Sequence, residues 1–141
     1  MVHTASPLLL LLSLALLAPG LSARQCLLTG NWTNDQGSSM NIGRVNYNGE
    51  FIGTYLSAVA ENITESPLFG FQNVIARQPT FGFTVVWDFS ESTTAFTGQC
   101  FLGTNGTEIL TTMWLLRSSV DDIEDDWNAT RVGYNVFTRP Q

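Results

Sequence analysis

The stretch "MNIGRVNYNGEFIGTYLSAV", Met40 to Val59, decides the fold: two segments of alternating character flank Asn48-Gly49. Alternation with a period of two places successive side chains on opposite faces of a strand. Asn-Gly readily takes the positive φ angles of a tight hairpin turn. Outward from this hairpin the device recurs. "TFGFTVVWDF" and "TTAFTGQCFLG" form a second pair joined at Ser-Glu-Ser, and "GQCFLGTNGTEILTTMWLL" turns again at Asn105-Gly106. With the opening "LTGNWT", the short "SPLFGFQNV" and the closing "TRVGYNVFT", about eight short strands are expected, at the spacing of an all-β barrel or sandwich. Only "SSVDDIEDDWNA" breaks the rhythm. Its acids lack the spacing and central glycine of a calcium loop, so a solvated loop or a single helical turn is expected there.

Strand parity shows which residues share a face. Tyr55 points with Ser57, Trp87 with Phe89, Thr94 with Phe96, and Trp114 with Leu116. These faces mix aromatics with hydroxyls. In "WDFSESTTAFTGQC" three large aromatics stand beside five hydroxyl side chains, with two charges and no histidine. A core favours aliphatics and a catalytic site needs groups that titrate, so the mixture fits a pocket for a small, neutral, hydrogen-bonding ligand. The opposite face of the late strands is apolar as well: Ile109, Met113 and Leu115, then Val132, Tyr134 and Val136. Two adjacent strands apolar on both sides imply burial against another subunit.

Composition narrows the function. The chain of 141 residues carries 12 acidic and 6 basic residues, a formal net charge of −6, and one histidine, His3. An acidic balance argues against nucleic acid or an anionic membrane as partner. Leu8 to Leu17 form an apolar run too short to span a bilayer, followed by Pro19-Gly20 and small residues at Gly20 and Ser22. That layout predicts a secretory signal over 1–22, leaving 23–141 as one domain with no histidine for general-base or zinc chemistry. In an oxidising compartment Cys26 and Cys100 most simply form one disulfide; two buried free thiols are the alternative. Sequons at Asn31, Asn62, Asn105 and Asn128 make at least one glycan an expectation.

Five stretches carry a resemblance. "LTGNWTNDQGSSM", "GEFIGTY", "QPTFGFTVVWDFSESTTAFTGQCF", "TMWLLRSSVDDI" and "DDWNATRVGYNVFTR" are similar, in order and in content, to the avidin family of biotin-binding proteins, across nearly the whole chain. The resemblance implies a secreted biotin-binding protein: an eight-stranded antiparallel up-and-down barrel, avidin-like and homotetrameric, with biotin in its mouth and no cofactor or metal. The barrel type and the near-limiting affinity known for streptavidin come with the resemblance and not from the residues. It implies that Asn34, Ser38 and Tyr55 donate to the urea oxygen of biotin, that Ser57 and Asn135 accept from its N–H groups, and that Thr94 approaches its sulfur. Donors fixed around one oxygen favour the polarised urea, which in turn makes its N–H groups better donors. Trp87, Phe89, Phe96, Trp114 and Leu116 are implied to box the rings and alkyl chain. Trp127 is implied to close the pocket of a neighbouring subunit. Ser90 and Ser92, with the backbone of Ala58 and Val59, are implied to receive the carboxylate.

Departures gather at the tail end of the ligand. The loop "SAVAENITESPL" is about three residues shorter than in the family, and Ala60 stands where a carboxylate-binding threonine is usual. Losing one charge-assisted bond costs about 1.5–3 kcal/mol, roughly ten- to a hundredfold in affinity. Gln36 replaces a leucine, and Ser57 a threonine whose methyl would restrict the rotamer. The acidic balance also departs from the basic members of the family. By resemblance Met113, Val132 and Tyr134 fall at a subunit interface.

Other readings are a lipocalin-like carrier, for which Gly30-Asn31-Trp32 fits a G-x-W opening, and a structural glycoprotein with weakened biotin binding. An enzyme would need a working acid–base pair. Asp35, Asp88 and Glu91 are the carboxylates nearest the expected pocket, parity turns Asp88 outward, and no pair looks arranged for the task, so no catalytic residues are expected.

Overall fold

The computed structural model describes residues 24–59 and 64–141. The expected signal segment, Ala60 and the sequon at Asn62 lie outside them. Eight strands follow in chain order: β1 (Gly30–Asn34), β2 (Ser39–Ile42), β3 (Glu50–Leu56), β4 (Glu65–Gln72), β5 (Thr80–Val86), β6 (Thr93–Leu102), β7 (Glu108–Arg117) and β8 (Thr130–Thr138). Each pairs antiparallel with the next, and β8 returns to β1 through Thr33↔Thr138 and Asn34↔Phe137, so the sheet closes into an up-and-down barrel. Closure removes both sheet edges.

The hairpin read first is present with a longer connection than its sequence suggests. Pairing holds from Ser39↔Leu56 to Ile42↔Gly53, and the turn itself occupies Asn46 to Gly49, where the Asn46 carbonyl accepts from Gly49 N at 2.9 Å. Gly49 has φ +89°, and a Cβ there would press on the Gln72 carbonyl and on Val74. Glycine is required by both the angle and the space. Between β6 and β7, Asn105 and Gly106 take φ of 62° and 75° inside a short 3-10 turn. The acidic segment forms a 3-10 helix, Ile123–Asn128, capped by the Asp122 carboxylate on Glu124 N.

Alternation governs what is inside. Phe81, Phe83 and Val85 on β5 and Thr94 and Phe96 on β6 face the barrel interior, as do Leu110 and Thr112 on β7 and Asn135 and Phe137 on β8. Trp87 and Phe89 differ from the strand reading: β5 ends at Val86, and both rings belong to the loop that follows. The loop is nonetheless held, because Asp88 N donates to Ser66 Oγ at 3.0 Å and Trp87 N to the Ser92 carbonyl at 3.2 Å.

One end of the barrel is sealed. Trp32 is fully buried, its Nε1 donates to the Leu28 carbonyl at 2.7 Å, and the Arg139 guanidinium lies 3.7 Å from its ring centroid. Arg139 also donates to the Leu27 carbonyl and pairs with Glu108 at 3.0 Å, while the other Glu108 oxygen accepts from Leu27 N. A partly desolvated cation over an indole contributes about 1–2 kcal/mol. Beside this plug Cys26 and Cys100 are joined, with Cα atoms 5.8 Å apart and a sequence separation of 74. A cross-link over so long a loop stabilises the fold by about 4 kcal/mol on the chain-entropy model. Of the described residues, one cluster groups metal-type ligands, Cys26, Cys100 and Glu108. Its sulfurs are spent in the disulfide, and Glu108 is spent on Arg139 and Leu27.

Candidate functional site

The other end of the barrel opens into a cavity of about 210 Å³, lined by Gln36, Ser38, Tyr55, Ser57, Val59, Trp87, Phe89, Ser92, Thr94, Phe96, Trp114, Leu116 and Asn135. β1, β3, β5 and β7 all end at this mouth. Of the lining residues only Tyr55 titrates. Among the described lining residues there is therefore no acid–base pair and no fixed charge to desolvate.

Its polar groups are held by one another. The Asn34 carboxamide oxygen accepts from the backbone of Gln36 and of Ser38, both at 2.9 Å, which fixes the turn after β1. Its Nδ2 then donates to Tyr55 Oη at 3.2 Å. Having accepted that bond, the phenol has its own proton free to donate into the cavity. Ser38 Oγ likewise accepts from Ala58 N at 2.9 Å, and its hydroxyl proton remains to be donated, to Tyr55 or to a ligand. Two lining hydroxyls, Ser38 and Tyr55, thus stand beside the Asn34 carboxamide, brought together from the turn after β1, β3 and β1. Burial pushes the Tyr55 hydroxyl up to about 12, against the lowering effect of its bonds with Ser38 and Asn34, and the charge of Asp35 adds to the rise.

Opposite them, Asn135 Oδ1 accepts from Trp114 Nε1 at 2.9 Å, and its Nδ2 donates to Asp35 Oδ1 at 2.9 Å and to Gln36 Oε1 at 3.4 Å. That bond to Asn135 chiefly holds the Asp35 carboxyl below the ordinary carboxylate value. Thr94 Oγ1 accepts from Trp87 Nε1 at 2.8 Å, and Ser57 is buried at the end of β3. The apolar wall is an aromatic stack. Tyr55 meets Trp87 edge-on at 5.3 Å and Phe96 face-on at 5.7 Å, and Trp87 leans on Phe89 at 5.4 Å. Each such pair contributes about 0.5–1.5 kcal/mol beyond its buried area and fixes the wall in place.

Most of the residues expected from the sequence are brought together here. Asn34 supports the lining from behind Tyr55, and Ala58 takes part through its backbone N–H. Ser90 and Ser92 meet each other, oxygen to oxygen, at 2.5 Å on the rim. Trp127 stands apart, 82 % exposed on the 3-10 helix and outside this chain's own pocket. Asp35 and Gln36 were not among the expected site residues, yet both hold Asn135. Three sequon asparagines, Asn31, Asn105 and Asn128, are exposed.

Two pairs of neighbouring strands carry large exposed apolar side chains on the outer surface. Met113, Leu115, Val132, Tyr134 and Val136 cover β7 and β8, in register through Met113↔Tyr134 and Leu115↔Val132. Ile52 and Phe69 are cross-strand neighbours on β3 and β4, with Phe71 beyond them.

Comparison with known proteins gives a consistent picture. The Avidin family profile matches residues 22–140. Avidin of Gallus gallus is 69 % identical over 146 residues, covering 99 % of this chain and 96 % of avidin. Avidin-related protein 4/5 of Gallus gallus is 70 % identical over 144 residues, with the same shares covered. A solved structure described as a biotin binding protein from chicken superposes with a TM-score of 0.79 at 49 % identity, covering 83 % of this chain and all of that one.

Proposed function

The chain belongs to the avidin family, whose members are binding proteins and not enzymes, and from that premise we propose that its pocket takes biotin. In this reading the urea oxygen sits against Asn34, Ser38 and Tyr55, and the two urea N–H groups meet Ser57 and Asn135. Thr94 lies against the thioether, while Trp87, Phe89, Phe96, Trp114 and Leu116 enclose the rings and the alkyl chain. Ser90 and Ser92 turn from each other to the carboxylate, with the N–H groups of Ala58 and Val59 nearby. No single bond is large. A typical one contributes about 1 kcal/mol net, so tight binding needs several acting together in a dry, preformed site.

The observation that carries this reading is the orientation of the donors. Asn34 Oδ1 accepts two backbone N–H groups, and Tyr55 Oη and Ser38 Oγ each accept one bond from a neighbour, so both hydroxyl hydrogens and the second Asn34 N–H remain to be donated to one electronegative atom at an aromatic pocket. A cyclic urea presents such an atom flanked by two donors.

The same reading extends to assembly and setting. The chain forms a homotetramer that covers the β7–β8 face, and Trp127 closes the pocket of a neighbouring subunit. Its exposure in the isolated chain supports a role outside its own barrel. Residues 1–22 act as a secretory signal, glycans occupy one or more sequons, and the secreted protein withholds biotin from microbes. The disulfide and the acidic balance are consistent with an extracellular protein that binds neither nucleic acid nor membrane.

Calorimetric titration of the purified protein with biotin and with biotin methyl ester tests the proposal. Biotin is expected to bind with one site per chain, and the ester more weakly by roughly tenfold if the serines hold the tail. Absence of heat and of retention on a biotin column would overturn it. Equal affinity for acid and ester would remove the tail contacts alone.

A further inference from the structure

We infer that Gln36 is a positioning residue: a second acceptor, beside Asp35, that keeps the Asn135 carboxamide turned with its oxygen toward the ligand. Its effect on binding rests on the biotin reading, whereas the hydrogen-bond geometry holds without ligand.

An asparagine amide has an oxygen that accepts and a nitrogen that donates twice, and the two ends are nearly the same shape. What selects the orientation is the company each end keeps. On one side of Asn135 stands Trp114 Nε1, which can only donate and lies 2.9 Å from Oδ1. On the other stands Asp35 Oδ1, which as a carboxylate can only accept and lies 2.9 Å from Nδ2. The reversed amide would face donor to donor and acceptor to acceptor. The correct orientation leaves the second lone pair of Oδ1 for an N–H of the ligand. The reversed one would present an NH2 to that N–H.

Asp35 is a fragile half of this arrangement. Its side chain is exposed on the turn after β1, and the same oxygen also accepts from Val136 N at 3.4 Å. Its charge is lost in acid. The groups facing it are Asn135 and Val136 from β8 and Tyr55 from β3, and Tyr55 is neutral until about pH 12. Gln36 is exposed too, but it has no charge to lose. Its Oε1 reaches the same Nδ2 at 3.4 Å, its amide does not titrate, and it lines the cavity. Since Nδ2 carries two hydrogens, it donates to both acceptors at once, and the longer bond can tighten when the charged acceptor fails. Leucine, the residue expected here from resemblance, would leave Asp35 alone.

The test uses the full chain, Gln36→Leu, Asp35→Ala and the double variant, with two readouts. In the ligand-free proteins, the Asn135 side-chain amide protons are followed by NMR as the pH falls from neutral to about 2, well below the ordinary carboxylate range, because Asn135 holds the Asp35 carboxyl below its usual value. The unchanged chain and Asp35→Ala are expected to keep two distinct, protected resonances. Gln36→Leu should lose them as Asp35 protonates, and the double variant should lack them at every pH. In parallel, biotin affinity is measured by competition. Gln36→Leu should weaken binding about threefold at neutral pH, the size of one weak bond, and by on the order of tenfold more in acid. The double variant should lose more than the product of the two single losses, since either acceptor alone can hold the amide. If Gln36→Leu leaves both the Asn135 resonances and the acid profile as they are in the unchanged chain, the inference is overturned. If the unchanged chain binds no biotin, the functional reading falls by itself and the amide resonances still decide the role of Gln36.

Discussion

Burial keeps the Tyr55 phenol protonated, and that sets a limit on the working range of the pocket. Its folded value of about 12 lies above the ordinary 10, so the folded chain holds the proton more tightly than the unfolded one. The resulting contribution to stability is whole below pH 10 and disappears as the pH rises through about 12. Biotin affinity should follow the same course, flat through neutral pH and falling only on the alkaline side. Tyr55→Phe and Asn34→Ala should each weaken binding by roughly ten- to a hundredfold, measured by competition titration, and Tyr55→Phe should also abolish the alkaline fall. The hydroxyl set of Tyr55, Ser57 and Thr94 was legible from strand parity, because parity is local. Asp35 was not. Its partner Asn135 lies 100 residues away, and only closure of β1 against β8 brings them together.

At the level of paired strands, Gly133 decides how Trp114 lies. The two are cross-strand partners, and a Cβ on Gly133 would press into the Trp114 indole. Gly133→Ala should therefore push the ring into the cavity and stretch its bond to Asn135. The expected result is a loss of biotin affinity of about tenfold or more, with the barrel intact by circular dichroism. A variant that binds normally would show that the indole has room to give. Hairpins were the most readable elements, since Gly49 and the pair Asn105-Gly106 take positive φ angles that few other residues supply. The loop after β5 was misread as strand as far as Phe89. Its pattern continues the alternation, yet Ser66 and Ser92 capture the backbone of Asp88 and Trp87 after β5 has ended. The hold of Ser66 comes from β4, a strand that lies elsewhere in the sequence, and local spacing does not encode it.

The molecule as a whole pairs an aromatic pocket with an apolar exterior on β7 and β8, where Tyr134 is 71 % exposed in the isolated chain. In the proposed tetramer this ring packs against its symmetry mate. Tyr134→Ala should lower the melting temperature by roughly 5 °C or more and shift the size distribution toward smaller species on dilution, both read on one sample by calorimetry and light scattering. An unchanged size and melting temperature would remove Tyr134 from the interface. The cross-link has a mechanical meaning as well. β1 and β8 are antiparallel neighbours, and pulling them from the same end would unzip their bonds one at a time. Tension arriving before Cys26, however, passes through the sulfurs to Cys100 on β6, a strand laced to β5 and β7 along most of its length. β1 lies inside the covalent ring, so the chain from Cys26 to Cys100 cannot be drawn out straight even where that seam opens.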